Sequence, residues 1–182
     1  MIRFLEEYDV ERIYEIYKYY IINTSITFEI EVPTLKEFRD RVNTISSIYP
    51  FIVYEVDNIV QGYAYATQYM ERTACKWSVV SSIYLDELYQ NKGVGKRLYK
   101  KLIDILKQQN FIMLYALITS ANRFSLKFHE NFGFTHIATM QNLGYKHGGW
   151  YDLSYYSYQL QEIDSTPEEI INITNIKRKI FP

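Results

Sequence analysis

The run Gln90-Asn91-Lys92-Gly93-Val94-Gly95-Lys96 is the part of the chain best suited to chemistry, because it joins an apolar strand to the start of a helix. At such a junction the first backbone N–H groups of the helix have no partner, and the dipole presents its positive end, so an anion can dock there. Glycines at 93 and 95 let the backbone approach a phosphate closely. Two better-known phosphate motifs do not fit. A P-loop needs Ser or Thr after its lysine to hold magnesium, and Arg97 follows Lys96. A dinucleotide fingerprint needs a third glycine three residues after Gly95, where Leu98 stands. The other reactive side chains are sparse. Cys75 is the only cysteine, so it forms no intrachain disulfide, and its ordinary role is that of a small hydrophobe. His136 and His147 have no metal-ligand spacing to cysteine or to each other, and no metal site is expected.

The elements that must position this turn can be read from hydrophobic periodicity. A short strand at 2–4 precedes a helix over about 9–20, in which Val10, Ile13, Tyr17 and Tyr20 recur on one face. The loop 23–29 is polar and cap-rich. Pro33-Thr34 then opens a second helix, with Thr34 and Glu37 forming a capping box. Strands over 51–56 and 59–69 flank a tight Asp57-Asn58 turn and read as an antiparallel hairpin. A third strand, 77–85, leads into the glycine turn, after which Val94, Leu98, Leu102 and Ile105 mark a long amphipathic helix. A strand at 113–118, a short helix at 124–131 and strands at 135–141 and 150–160 complete one domain over 1–162. This order predicts an α/β (α+β) fold, a mixed sheet with helices on both faces. A tail, 163–182, holds a short helix after Thr166-Pro167, with Glu168 and Glu169 in its first turn.

Composition sets outer limits. The chain has 182 residues, near the size of one domain, and 48% are hydrophobic, enough for a continuous core. A net charge of -1 gives no bulk attraction to nucleic acid or to an anionic membrane. No apolar run reaches the ~20 residues needed to span a bilayer. A cytoplasmic location is expected. The 19 tyrosines are scattered and form no base-stacking tract.

Q-x-x-G-x-G after a strand and before a helix resembles the acetyl-CoA pyrophosphate loop of the GNAT N-acetyltransferases. Two further stretches carry the same resemblance. Ile118-Thr119-Ser120-Ala121-Asn122 and Ser125-Leu126-Lys127-Phe128-His129-Glu130-Asn131-Phe132-Gly133-Phe134 are similar to the family's later strand, its coenzyme-facing asparagine and its helix ending in G-F. Gly144-Tyr145-Lys146-His147-Gly148-Gly149-Trp150-Tyr151-Asp152 is similar to the G-x-K-x-G-x-W-x-D ending of the phosphinothricin and methionine sulfoximine acetyltransferase branch. Asn23-Thr24 to Thr27-Phe28-Glu29 resembles that branch's T-x-x-T-F-E start. The likeness covers residues 1–160.

The resemblance implies the GNAT fold, with a mixed, mostly antiparallel central sheet, and transfer of an acetyl group from acetyl-CoA to the amino group of a small molecule. It implies a homodimer and a small-molecule amine as partners. By carry-over, the backbone of Ile83, Tyr84 and Leu85 pairs with the pantetheine arm, and an N–H near Leu85 meets the developing oxyanion. The pyrophosphate falls to Gln90, Asn91, Lys92, Gly93, Val94, Gly95 and Lys96, while Asn122 and Asn131 reach the coenzyme. Asn122 also reads as a helix cap. The branch's W-x-x-E carries a glutamate where Trp77-Ser78-Val79-Val80 has Val80, which cannot take a proton. Glu29 then becomes the candidate base, with a water chain as the alternative. His129 is the candidate acid for the departing thiolate, or else packs on the coenzyme. Phe28, Val80 and the segment Arg72, Thr73, Ala74 and Cys75 are expected beside the acceptor amine. Loss of the branch's carboxylate leaves a second reading open, an acyl-CoA-binding sensor with weak or no catalysis.

Overall fold

The computed structural model describes residues 1–163 and 166–181, so positions 164, 165 and 182 of the expected tail lie outside the described residues. The elements run β1 (Ile2–Phe4), α1 (Val10–Asn23), α2 (Leu35–Ser46), β2 (Phe51–Val56), β3 (Ile59–Gln68), β4 (Ser78–Leu85), α3 (Val94–Gln108), β5 (Met113–Thr119), α4 (Arg123–Phe132), β6 (Thr135–Lys146), β7 (Gly149–Gln159) and α5 (Ile173–Ile180). One seven-stranded sheet orders them β1-β2-β3-β4-β5-β7-β6. Every neighbouring pair is antiparallel except β4 and β5.

Local chemistry explains the borders. Asp57 and Asn58 both have positive φ (51° and 60°), the turn that suits the twist of a two-residue hairpin. Thr34 and Glu37 cap α2 reciprocally, as the sequence predicts. Strand β6 runs five residues beyond its expected end. A register shift between Met140 and Gly144, with Asn142 in the left-handed region, breaks the alternation that would have revealed the strand.

Alternation along the strands divides the core into two layers. Ala64, Ala66, Val79, Leu114, Ala116 and Ile118 pack with Leu98, Leu102 and Ile105 of α3. Val53, Val60 and Tyr63 pack on the other face against Ile13, Tyr17 and Tyr20 of α1 and Phe38 of α2. Fully burying such side chains stabilises by about 1.5–3 kcal/mol each before conformational entropy is counted.

The tail departs from expectation. Its helix starts at Ile173, where the Asn172 side chain accepts from Thr174 N–H, and not after Pro167. Residues 168–169 are tied down in non-helical form instead. The Trp77 indole N–H donates to the Glu168 carbonyl (2.7 Å), Asn110 donates to that of Glu169 (2.9 Å), and Lys76 pairs with the Glu169 carboxylate (2.7 Å). Ile173, Ile176 and Ile180 are buried in the same core layer as α3.

Candidate active site

The site begins where the one parallel pair ends. Strands β4 and β5 are in register only from Ser78↔Met113 to Val80↔Tyr115, and beyond that they diverge. From Ser81 to Leu85 the β5-facing edge of β4 has no strand beside it, so an extended chain bearing amides can be added there as another strand would be. The gap holds a cleft of about 70 Å3 lined by Ser81, Ser82, Ile83 and Tyr84 on one side and residues 116–119 on the other. Its lining comes from both faces of the sheet: Tyr99 of α3 and Ser125 and His129 of α4 from one, Ile26 of the α1–α2 loop from the other.

At the outer end, Asn91 (φ 57°) and Gly93 (φ 74°) both adopt left-handed backbone and bring the chain into α3, leaving the N–H groups of its first turn free. A Cβ built on Gly95 would make only ordinary contacts, the nearest 3.7 Å away on Ile83. Packing within the chain therefore does not require glycine at 95, while close approach of a phosphate to this backbone would favour it. Gln90 also has a partner within the chain. Its side-chain amide donates to the Tyr20 hydroxyl (3.0 Å), which in turn donates to the Leu85 carbonyl (2.7 Å), so Gln90 ties the turn to α1.

On the α3–α4 side, Asn122 lines the cleft and also caps α4, its Oδ1 accepting from Ser125 N–H (3.0 Å). His129 is buried, 3% exposed. Its Nδ1 lies 2.7 Å from the Ser125 carbonyl, which can only accept, so the ring proton sits on Nδ1 and Nε2 accepts from the Tyr99 hydroxyl 2.9 Å away. Desolvation lowers the His129 pKa to about 4, against a smaller upward effect of the Ser125 carbonyl. His129 is thus a neutral imidazole at pH 7 with both nitrogens occupied, an arrangement that suits its alternative reading as a packing residue better than the role of acid for the thiolate. Asn131 is exposed, and two positions from His129 on a helix is about 200° around the axis, so it does not line this cleft.

Across the sheet, Val80, Ser82 and Tyr84 project toward α1 and α2, opposite Thr67, Tyr65 and Tyr63 of β3. Tyr84 has its pKa raised, by burial first and then by Tyr65, Tyr17 and the charge of Glu29. Arg41 of α2 holds the Glu29 carboxylate at 2.6 Å. Among the described residues, no aspartate or glutamate lines the cleft itself. The segment 72–75 forms a short 3-10 turn before β4, at the closed end of the strand pair, with Arg72, Thr73 and Ala74 exposed and Cys75 half-buried. Neither this segment nor Phe28 and Val80 belongs to the lining.

Sequence reasoning missed Tyr99, Ser81, Ile26 and Arg41. Ser81 left a trace, a hydroxyl at an inward position of the alternation Val79-Ser81-Ile83; it lies 2.5 Å from the Tyr99 hydroxyl. Tyr99 borders the apolar stripe of α3 but carries no local sign of its partners. Among the described residues, no group of three or more His, Cys, Asp or Glu could hold a metal ion.

A sheet split between the parallel strands β4 and β5, with an uncapped helix start at the open end, has counterparts among known proteins. Residues 2–154 match the family described as the Acetyltransferase (GNAT) domain. Phosphinothricin N-acetyltransferase of Streptomyces viridochromogenes is 32% identical over 168 residues, covering 92% of this chain and 91% of that one. An L-amino acid N-acyltransferase of Escherichia coli is 31% identical, over 88% of this chain and 94% of its own. The crystal structure of a phosphinothricin acetyltransferase from Sinorhizobium meliloti in complex with AcCoA superposes with a TM-score of 0.89 at 33% identity, covering 93% of each chain. With the splayed sheet, the glycine turn and this span of matched sequence in agreement, the chain belongs to the GNAT acetyltransferases.

Proposed function

We propose that this enzyme transfers the acetyl group of acetyl-CoA directly to the amino group of an amino acid or of a phosphinothricin-like or methionine sulfoximine-like analogue. The cleft between β4 and β5, lined by residues from both faces of the sheet, carries the reading, since a thioester and an amine can be brought together there. Acetyl-CoA supplies the activated acyl group. The residues of this chain bind and orient: the start of α3 takes the pyrophosphate, the free edge of β4 takes the pantetheine amides, and Asn122 borders the same cleft. Glu29, on the acceptor side, receives the proton that the attacking nitrogen gives up as the C–N bond forms, while the C–S bond breaks and coenzyme A leaves as the thiolate, which takes a proton from water. Cys75 lies outside the cleft lining, which supports transfer without an acylated enzyme. The substrate class is drawn from the relatives' named activities.

The test is a screen of L-amino acids, phosphinothricin and methionine sulfoximine with acetyl-CoA, reading released thiol. Turnover with at least one amine, intersecting initial-rate patterns and substantial kcat in Cys75→Ala are expected. Coenzyme binding without turnover on any amine would overturn the enzymatic reading. An acetyl group on Cys75 with parallel rate patterns would overturn direct transfer.

The enzyme is also proposed to work in the cytoplasm as a homodimer. A lone cysteine suits a reducing compartment, and no helix among the described residues is long and apolar enough to cross a membrane. Strand β6 ends the sheet with one edge free, and Ile137, Met140, Leu143, Tyr145 and Trp150 on the β6–β7 hairpin are each at least 49% exposed. Such a surface suits a second copy of the chain. Sedimentation that shows a monomer at micromolar concentration would rule the dimer out.

A further inference from the structure

Residues 24–29, between α1 and α2, are held by four other elements. Thr119 of β5 donates to the Ser25 carbonyl (3.0 Å), and Tyr17 of α1 shares a hydrogen bond with the Thr27 hydroxyl (3.4 Å). Arg41 of α2 holds Glu29 (2.6 Å). The fourth holder is the end of β6. Lys146 Nζ donates to the Thr27 carbonyl at 2.9 Å, and the ring of Phe28 lies over Gly144, so near that a Cβ there would come within 2.6 Å of it. Two residues apart on one strand, Gly144 and Lys146 share a face and seat two consecutive loop residues.

Lys146 is only 4% exposed, and that carbonyl is its one hydrogen-bond acceptor among the described residues. An ammonium is costly to bury, and here burial lowers the Lys146 pKa while the charge of Glu29 offsets only part of that cost. Methionine would fill a similar volume without that cost, so packing alone does not account for the charge.

We propose that Lys146 is a positioning residue for the acceptor side of the reaction: with Gly144 it clasps residues 27 and 28 and thereby fixes the direction of Glu29. The proposal rests on the reading of Glu29 as base, and its two parts can be separated. Lys146 fixes the carbonyl two residues before Glu29, and Arg41 fixes the carboxylate itself. The loop between them also places Ile26 against the cleft. Losing the clasp frees the loop at its middle and leaves the coenzyme side of the sheet untouched.

The experiment compares Lys146→Met, Lys146→Arg and Glu29→Gln in the full chain, using the best amine from the screen and amide hydrogen exchange of residues 24–29. Lys146→Met should lower kcat/KM for the amine at least tenfold, leave KM for acetyl-CoA within twofold, and speed exchange in the loop. Lys146→Arg should recover much of the loss. In the double variant with Glu29→Gln, activity should fall little below that of Glu29→Gln alone. If Glu29→Gln is fully active while Lys146→Met still loosens the loop and loses amine turnover, the base assignment fails and the clasp stands. A folded Lys146→Met with unchanged exchange and unchanged kcat/KM would overturn the clasp. Should Lys146→Met fail to fold, Gly144→Ala, which must displace the Phe28 ring, is read by the same two measurements and the same outcomes.

Discussion

Tyr99 and His129 meet 2.9 Å apart beneath the cleft, the tyrosine hydroxyl donating to an imidazole nitrogen that solvent hardly reaches. With its folded pKa lowered to about 4 from an ordinary 6.5, His129 takes up a proton more readily when unfolded. The unfolded state therefore binds more protons between these values, and stability falls as pH drops from 6.5 toward 4, by about 3 kcal/mol at the lower end. Urea midpoints at pH 7 and pH 4.5 should show this loss, and a folded His129→Gln variant should show less of it. The kcat profile above pH 5.5 should contain no inflection from this group.

Gly95 separates ligand demand from chain demand. Alanine at 95 meets only ordinary contacts inside the protein, and in a helix alanine is favoured over glycine by up to ~1 kcal/mol. Gly95→Ala should thus keep or raise the melting temperature while weakening acetyl-CoA binding about tenfold or more by calorimetry. Equal affinity in both proteins would remove the phosphate from this turn. Gly93 is a poorer probe, because its φ of 74° strains any side chain whether or not a ligand is present.

Glu29→Gln should reduce kcat/KM for the amine about 100-fold, in the range of a lost general base. Val80 projects to the same side of the sheet as Tyr84, so a carboxylate placed there can take over. Val80→Glu in the Glu29→Gln background should restore part of the activity. An unpaired carboxylate costs a few kcal/mol or binds a proton instead, so folding must be checked by circular dichroism alongside the rates. No recovery in a folded double variant would argue for a water chain.

The tail is a stability element. Ile173 is fully buried beneath α3, and Ile173→Ala should cost about 3 kcal/mol, as cavities of this kind do. Denaturant unfolding measures it. A change under 1 kcal/mol would mean that α5 detaches without consequence.

Periodicity made most of the architecture legible: the apolar stripe of α3, the Asp57-Asn58 hairpin and the Thr34 cap all stand where local chemistry put them. The end of β6 was hidden because Asn142 and the register shift erase alternation. The start of α5 was hidden because distant side chains, Trp77 and Asn110, claim the backbone that would have begun it. Around the cleft, the left-handed glycine turn and the Asn122 cap were visible because their chemistry is local. The neutrality of His129 was not, since it depends on burial and on Tyr99, thirty positions away.

Because the cleft is bordered by residues from both faces of the sheet, its two reactants need not share a doorway. On the proposed reading, acetyl-CoA lies along β4 on the α3 side and the amine comes past the α1–α2 loop, which contributes Ile26 to the lining. Addition in either order follows, as does departure of the spent coenzyme before or after the amide. Product inhibition should show it: coenzyme A competitive against acetyl-CoA, and the acetylated amine competitive against the free amine. A strictly ordered pattern would mean that one reactant builds the entrance used by the other.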